Sequence, residues 1–259
     1  MASILPRDIA APTRYSPPAA ELGFLLEFIR PSIRLARGDN KQLRCSYRAL
    51  DLRVICADNL AMAQPMDRSG LEGALAALGD LVAYRGEAYE IVLVGGGDLV
   101  LRGIISRSTK DADIVGQRLS NGRIVPLHRL PDALAKAVSE VAAAHDLAPD
   151  WLNVGPESLL DLGLPAWFED RLTARHYGGL TVWLAGPYDL VCFKLYAAAD
   201  HPPSQDRHLD DLRALRPSEA DLLSSARWSM TQDPSPAFRS QLAAVLAHLG
   251  VEDADARLD

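Results

Sequence analysis

Three consecutive glycines, Gly95, Gly96 and Gly97, and two aspartates one residue apart, Asp111 and Asp113, are the residues whose type and spacing can do chemistry. Glycines at the end of a strand leave backbone N–H groups bare and set a helix N-terminus beside them, an arrangement that holds phosphate oxygens without any side chain. The better-known glycine motifs do not fit. Gly-x-Gly-x-x-Gly from Gly95 needs glycine where Val100 stands, and a P-loop from Gly97 needs glycine at Arg102 and a following Lys-Ser/Thr. On the glycines alone, a tight turn that binds nothing stays open. Asp111 and Asp113 on one strand project from the same face, where their repulsion is costly without a cation. Mg²⁺ suits them, with Mn²⁺ as the alternative, because it binds through one or two carboxylates together with substrate phosphates. The competing reading is a solvated strand edge.

The elements that must position these residues follow from the hydrophobic pattern. Residues 89–94 read as a short buried strand that the glycines end, residues 98–102 as a helix closed by Gly103, and residues 111–115 as a second strand. Upstream, Ser69 and Glu72 have capping-box spacing ahead of Leu71, Leu75, Leu78 and Val82. Downstream, residues 131–145 carry Leu134, Ala137, Val138, Val141 and Ala142 on one stripe, and residues 180–185 read as a third strand. Helices are expected from Gly186-Pro187, from Ser218 to Asp221, and from Ser235-Pro236. The fold class is α/β (α+β): a small mixed sheet flanked by helices, with a helical C-terminal part. Residues 1–65 hold six of the 17 prolines and no sustained period, and read as a weakly ordered extension; residues 66–185 form the core, and residues 186–259 a helical part packed on it.

The formal charge of −7 is unevenly placed. Residues 1–65 have nine Lys/Arg against six Asp/Glu, whereas residues 66–259 have eighteen against twenty-eight. Such a body repels a polyanion over most of its surface, which favours a nucleotide plus a second acceptor over an extended nucleic acid. Cys45, Cys56 and Cys192 lack Cys-x-x-Cys spacing and read as reduced thiols, with Cys192 in the core. No apolar run of membrane-spanning length and no secretory plan is present, so a cytoplasmic protein with no membrane partner is expected. Trp151, Trp167, Trp183 and Trp228 read as core or lid packing, and no Ser-His-Asp arrangement can be placed.

Val94-Gly95-Gly96 followed at this distance by Asp-x-Asp resembles the signature of the polymerase-β nucleotidyltransferase superfamily. The ordered set "VLVGGGDLVLRGIISRSTKDADIV", "DWLN" at 150–153, "YGGLTV" at 177–182 and "DLVCFKLYAA" at 189–198 is similar to uncharacterised bacterial nucleotidyltransferases related to abortive-infection-type toxins, over roughly residues 70–250. The resemblance implies that the glycine turn holds a triphosphate, that Asp111 and Asp113 bind Mg²⁺, and that Lys194 reaches the nucleotide phosphates. Arg107 would approach the same site. The implied reaction moves a nucleoside monophosphate from a nucleoside triphosphate to RNA, protein or a small molecule, in a toxin-antitoxin or phage-defence setting with a cognate partner protein. Polymerising members of the superfamily use a third carboxylate on a neighbouring strand, and residues 180–185 contain none. Asp206, Asp210 and Asp211 are candidates for a missing base, with Asp210 and Asp211 equally readable as helix-surface charges or ion-pair partners of Lys194. Asn153 either lines the cleft or caps a turn. Lys194 itself interrupts the apolar stretch 190–196, where burying a charge without purpose is costly. The alternative to an enzyme is an inactive nucleotide- or partner-binding module of the same fold.

Overall fold

The apolar run Tyr-Glu-Ile-Val-Leu-Val forms the central strand β1 (Tyr89–Val94), preceded by helix α1 (Arg68–Tyr84) and followed at once by α2 (Gly95–Arg102). The computed structural model describes residues 64–200 and 207–258. The expected extension over residues 1–65, apart from Gln64 and Pro65, lies outside them, as does Asp206. Then come β2 (Ala112–Arg118), β3 (Ile124–Val125), α3 (Asp132–Ala144), β4 (Leu152–Asn153) and the short α4 (Ser158–Leu162). A hairpin of β5 (Thr173–Tyr177) and β6 (Leu180–Leu184) leads into α5 (Pro187–Asp200), α6 (Arg207–Leu215), α7 (Glu219–Gln232) and α8 (Pro236–His248).

The sheet is mixed, in the order β3-β2-β1-β6-β5, with β4 also paired to β2. β1 runs antiparallel to β2, which sets Val94 opposite Asp113, and parallel to β6. β4 runs parallel to β2 and sets Asn153 opposite Asp113. Alternation along the strands divides the core. Ile91, Leu93, Ala112, Ile114 and Val182 face Leu71, Leu75 and Leu78 of α1 and Leu134 and Val141 of α3. Val92, Val94 and Val115 point the other way, against Leu99, Phe168, Leu190 and Phe193. Each fully buried leucine in these layers contributes about 1.5–3 kcal/mol. A third cluster, with Leu195, Leu212, Leu222, Leu242 and Leu246, joins the C-terminal helices. Among the described residues no helix is long and apolar enough to cross a membrane.

Several boundaries differ from the sequence reading. Asp67, not Ser69, caps α1, its carboxylate accepting the Gly70 amide at 2.8 Å, and Glu72 instead pairs with Arg68 and Arg175. α2 begins at Gly95, because three glycines can enter a first helical turn when tertiary packing holds them there. β2 begins at Ala112 and leaves Asp111 in the preceding turn. The Tyr177-Gly178-Gly179 stretch is a hairpin turn pressed onto α1: a Cβ on Gly79 would meet the Tyr177 carbonyl oxygen at 1.7 Å, and Gly179 N–H donates to the Gly79 carbonyl at 2.9 Å. The capping box at Ser218 and Asp221 and the cap at Ser235 form as expected.

Candidate functional site

The turn from β1 into α2 brings bare backbone to one point. Val94 at the N-cap makes no side-chain capping bond, so among the described residues the first N–H groups of the helix, at Gly95, Gly96 and Gly97, carry no side-chain partner there. Gly95 has φ of 76°, and a Cβ on it would lie 2.7 Å from Asp113 Oδ2. Only glycine meets both conditions. The carboxylate therefore sits directly against the glycine turn. Gly97 packs against the backbone of Ala112, with a Cβ there 3.3 Å from the Ala112 Cα, which seats the helix on β2.

Asp113 is half-buried, and burial raises its pKa above the usual carboxylate range. The charge of Asp111 raises it further, while a hydrogen bond from the Asn153 side chain and the charge of Lys194 pull it down. Two carboxylates that repel one another beside an open backbone turn suit a divalent cation. Among the described residues no group of three or more His, Cys, Asp or Glu converges, so a metal held here takes its other ligands from substrate and water. Those two oxygen ligands fit Mg²⁺. Asp111 is exposed and is placed by Thr109, whose Oγ1 donates to the Asp111 carbonyl at 2.9 Å and lies 3.4 Å from Asp111 Oδ1.

Two cations converge on one buried acid. Lys194 Nζ lies 2.8 Å from Asp211 Oδ2, and Arg107 Nη2 donates to both Asp211 oxygens at 2.8 Å. Asp211 is 1% exposed and Lys194 6%. Arg107 also reaches the glycine turn, its Nη2 4.0 Å from a Cβ on Gly96. Asp211 is thus the ion-pair partner of Lys194. Asp210, by contrast, points outward and pairs with Arg213 at 2.8 Å, so the structure does not bring it into the cluster. A cavity of about 280 Å³ opens over the group, bounded by Gly95, Asp113, Ser158, Phe193, Lys194 and Tyr196.

Of the two roles considered for Asn153, the structure shows the cap: its Oδ1 accepts the Gly155 amide at 2.8 Å, while β-pairing sets it opposite Asp113 and the walls of the cavity beside Lys194 do not include it. At the aspartates β2 is flanked by β1, with Val94 opposite Asp113, and on its other side by β4, with Asn153 opposite Asp113, whereas residues 180–184 lie beyond β1. Sequence reasoning passed over Thr109, whose signal was a threonine two residues ahead of an aspartate, a spacing suited to a local side-chain to backbone bond. It also passed over Asp98, which is fully buried, receives the Arg102 Nε at 2.8 Å and the Ala185 amide at 2.6 Å, and ties α2 to the end of β6. Trp151 is core and Trp228 stacks edge-on with Phe193, but Trp167 is exposed.

No curated protein and no solved structure matches the chain. Residues 74–211, which span β1 through Asp211 and more than half of the chain, match the family described as nucleotidyltransferase of unknown function (DUF6036), and the chain belongs to that family.

Proposed function

We propose that this protein is a Mg²⁺-dependent nucleotidyltransferase of polymerase-β type, moving a nucleoside monophosphate from a nucleoside triphosphate to an acceptor hydroxyl. The observation that carries the reading is the contact of Asp113 Oδ2 with the Gly95 position, at the uncapped start of α2 and in the same cavity as Lys194. Asp111 and Asp113 would hold Mg²⁺, which neutralises the triphosphate and lowers the pKa of the attacking hydroxyl. Mn²⁺ suits the same oxygen pair. The amides of Gly95, Gly96 and Gly97 hold the outer phosphate oxygens. Lys194 and Arg107, fixed by Asp211, offset charge that builds on the departing pyrophosphate. The acceptor oxygen bonds to the α-phosphorus, the bond to the α–β bridging oxygen breaks, and pyrophosphate and the hydroxyl proton leave.

Asp111, Asp113 and Asp211 outnumber Lys194 and Arg107 by one, which favours a divalent cation entering before an anionic substrate. The test is transfer of α-phosphate label from each triphosphate in the presence of MgCl₂. Asp111→Asn with Asp113→Asn should lower transfer by about a thousandfold or more and leave Tm unchanged or higher, since repulsion is removed. An undiminished rate in that double variant overturns the assignment.

A second reading has one observation of its own. Asn153, a neutral amide, faces Asp113 from the adjacent strand, which supports a module that binds nucleotide or a partner protein without turnover, as in one component of a toxin-antitoxin or phage-defence pair. Calorimetric nucleotide binding without label transfer to any acceptor selects it.

A further inference from the structure

Residues 103–111 join α2 to β2, and among them only Thr109 is buried, at 3% exposed. Its backbone is held twice at the start of α1. The Thr109 N–H donates to the Met66 carbonyl at 2.8 Å, and the Thr109 carbonyl accepts the Met66 amide at 2.7 Å, one residue ahead of the Asp67 cap. Met66 is itself part of the core beneath α1. From this anchor the side chain reaches both halves of the site. Its Oγ1 lies 3.3 Å from where a Cβ on Gly96 would stand, and it donates to the Asp111 carbonyl at 2.9 Å. The Ala112 amide donates to the Trp151 carbonyl at 2.6 Å, so the peptide plane after Asp111 is tied down at both ends. That plane also borders the glycine turn, since the Asp111 carbonyl oxygen is 3.4 Å from a Cβ on Gly97.

We propose that Thr109 is the positioning residue for the divalent cation: by fixing the peptide plane after Asp111, its hydroxyl aims that carboxylate alongside Asp113 at the glycine turn. The inference rests on the Mg²⁺ site proposed above. Asp111 is exposed, and among the described residues the one side-chain group within hydrogen-bond range of its carboxylate is the same Thr109 Oγ1, 3.4 Å from Oδ1. Nothing packed around the carboxylate therefore aims it, and its direction is set by the backbone that carries it. A loop aspartate left to rotate loses that freedom when a metal binds, and a plane held in advance reduces the loss. Thr109 acts through Asp111 and contacts neither cation nor phosphate in this account. Losing a partner that orients a metal ligand typically costs roughly 10–100-fold in metal affinity, which sets the size of the expected effect. Because one oxygen makes the bond, affinity should follow the hydroxyl and not the bulk of the side chain.

The experiment titrates Mn²⁺ alone into the full chain and reads the free ion by its paramagnetic resonance signal, with Tm measured in metal-free buffer beside it. Thr109→Val keeps the branched shape and loses the hydroxyl, Thr109→Ser keeps the hydroxyl and loses the methyl, and Thr109→Ala loses both. Val and Ala are expected to bind Mn²⁺ about tenfold more weakly or worse, and Ser to stay within about twofold of the natural protein, whatever the order of the three Tm values. A purely structural threonine gives the other pattern, in which affinity tracks Tm. If circular dichroism shows that Val does not fold, the comparison of Ala with Ser decides. Mn²⁺ affinity within about twofold in Val or Ala, or a loss in Ser equal to theirs, overturns the role of Thr109 while the metal site stands. No Mn²⁺ binding by the natural protein, or binding that Asp111→Asn with Asp113→Asn leaves undiminished, sinks the underlying reading instead.

Discussion

Asp98 offers a quantitative test of how α2, the helix that follows the glycine turn, is held. Its carboxylate is buried completely, and loss of hydration pushes its pKa from the ordinary 3.8 up to about 7. Arg102, the Ala185 amide and Arg175 oppose that shift and reverse only part of it. Between those two values the folded chain keeps a proton that the unfolded chain has released, so folding stability falls as pH rises through the window. Roughly three pKa units at about 1.36 kcal/mol each set a ceiling of about 4 kcal/mol on that fall. Asp98→Asn keeps the shape and removes the titration. Denaturant unfolding of both proteins, followed by circular dichroism in steps from about pH 4 to about pH 8, should show the variant gaining on the natural protein by up to about 4 kcal/mol as pH rises. A gap that stays constant, or that moves in favour of the natural protein above about pH 5, means that Arg102 and the Ala185 amide outweigh desolvation, and refutes the reasoning.

Two further substitutions probe the site from different sides. Gly95→Ala forces a Cβ onto a left-handed residue and into Asp113 Oδ2, so it should cost about 1–2 kcal/mol in backbone strain and weaken Mg²⁺-dependent nucleotide binding by about tenfold or more; calorimetry that finds binding unchanged would show that the turn and the carboxylate do not act together. Asp211→Asn strips the buried partner from Lys194 and Arg107 and should destabilise by about 3 kcal/mol or more, whereas Asp210→Asn next to it, on the solvent side, should stay within about 0.5 kcal/mol; equal effects in denaturant titrations would contradict the burial that separates the two.

Glycine spacing, strand-like apolar runs and helix caps were sufficient to place β1, α2, α3, α5, α7 and α8 within a residue or a few, because period and capping are local properties of the chain. The paired aspartates were legible for the same reason. β3 and β4 are only two residues long, and β5, Thr-Ala-Arg-His-Tyr, is largely polar, so no pattern announced them; they exist because β2 and β6 offer open edges for them to pair with. That pairing decided which residue stands opposite Asp113 on the side away from β1, and it is Asn153 rather than any residue of β6. Likewise the chain could show that Lys194 breaks an apolar run, but only the packing of α6 on α5 could choose Asp211 over Asp210 as its partner, since helix rotation sends adjacent side chains about 100° apart. Local chemistry thus wrote the glycines, the aspartates and the helices, while the meeting of residues a hundred positions apart, Arg107 with Asp211 above all, needed the folded chain to exclude water around them.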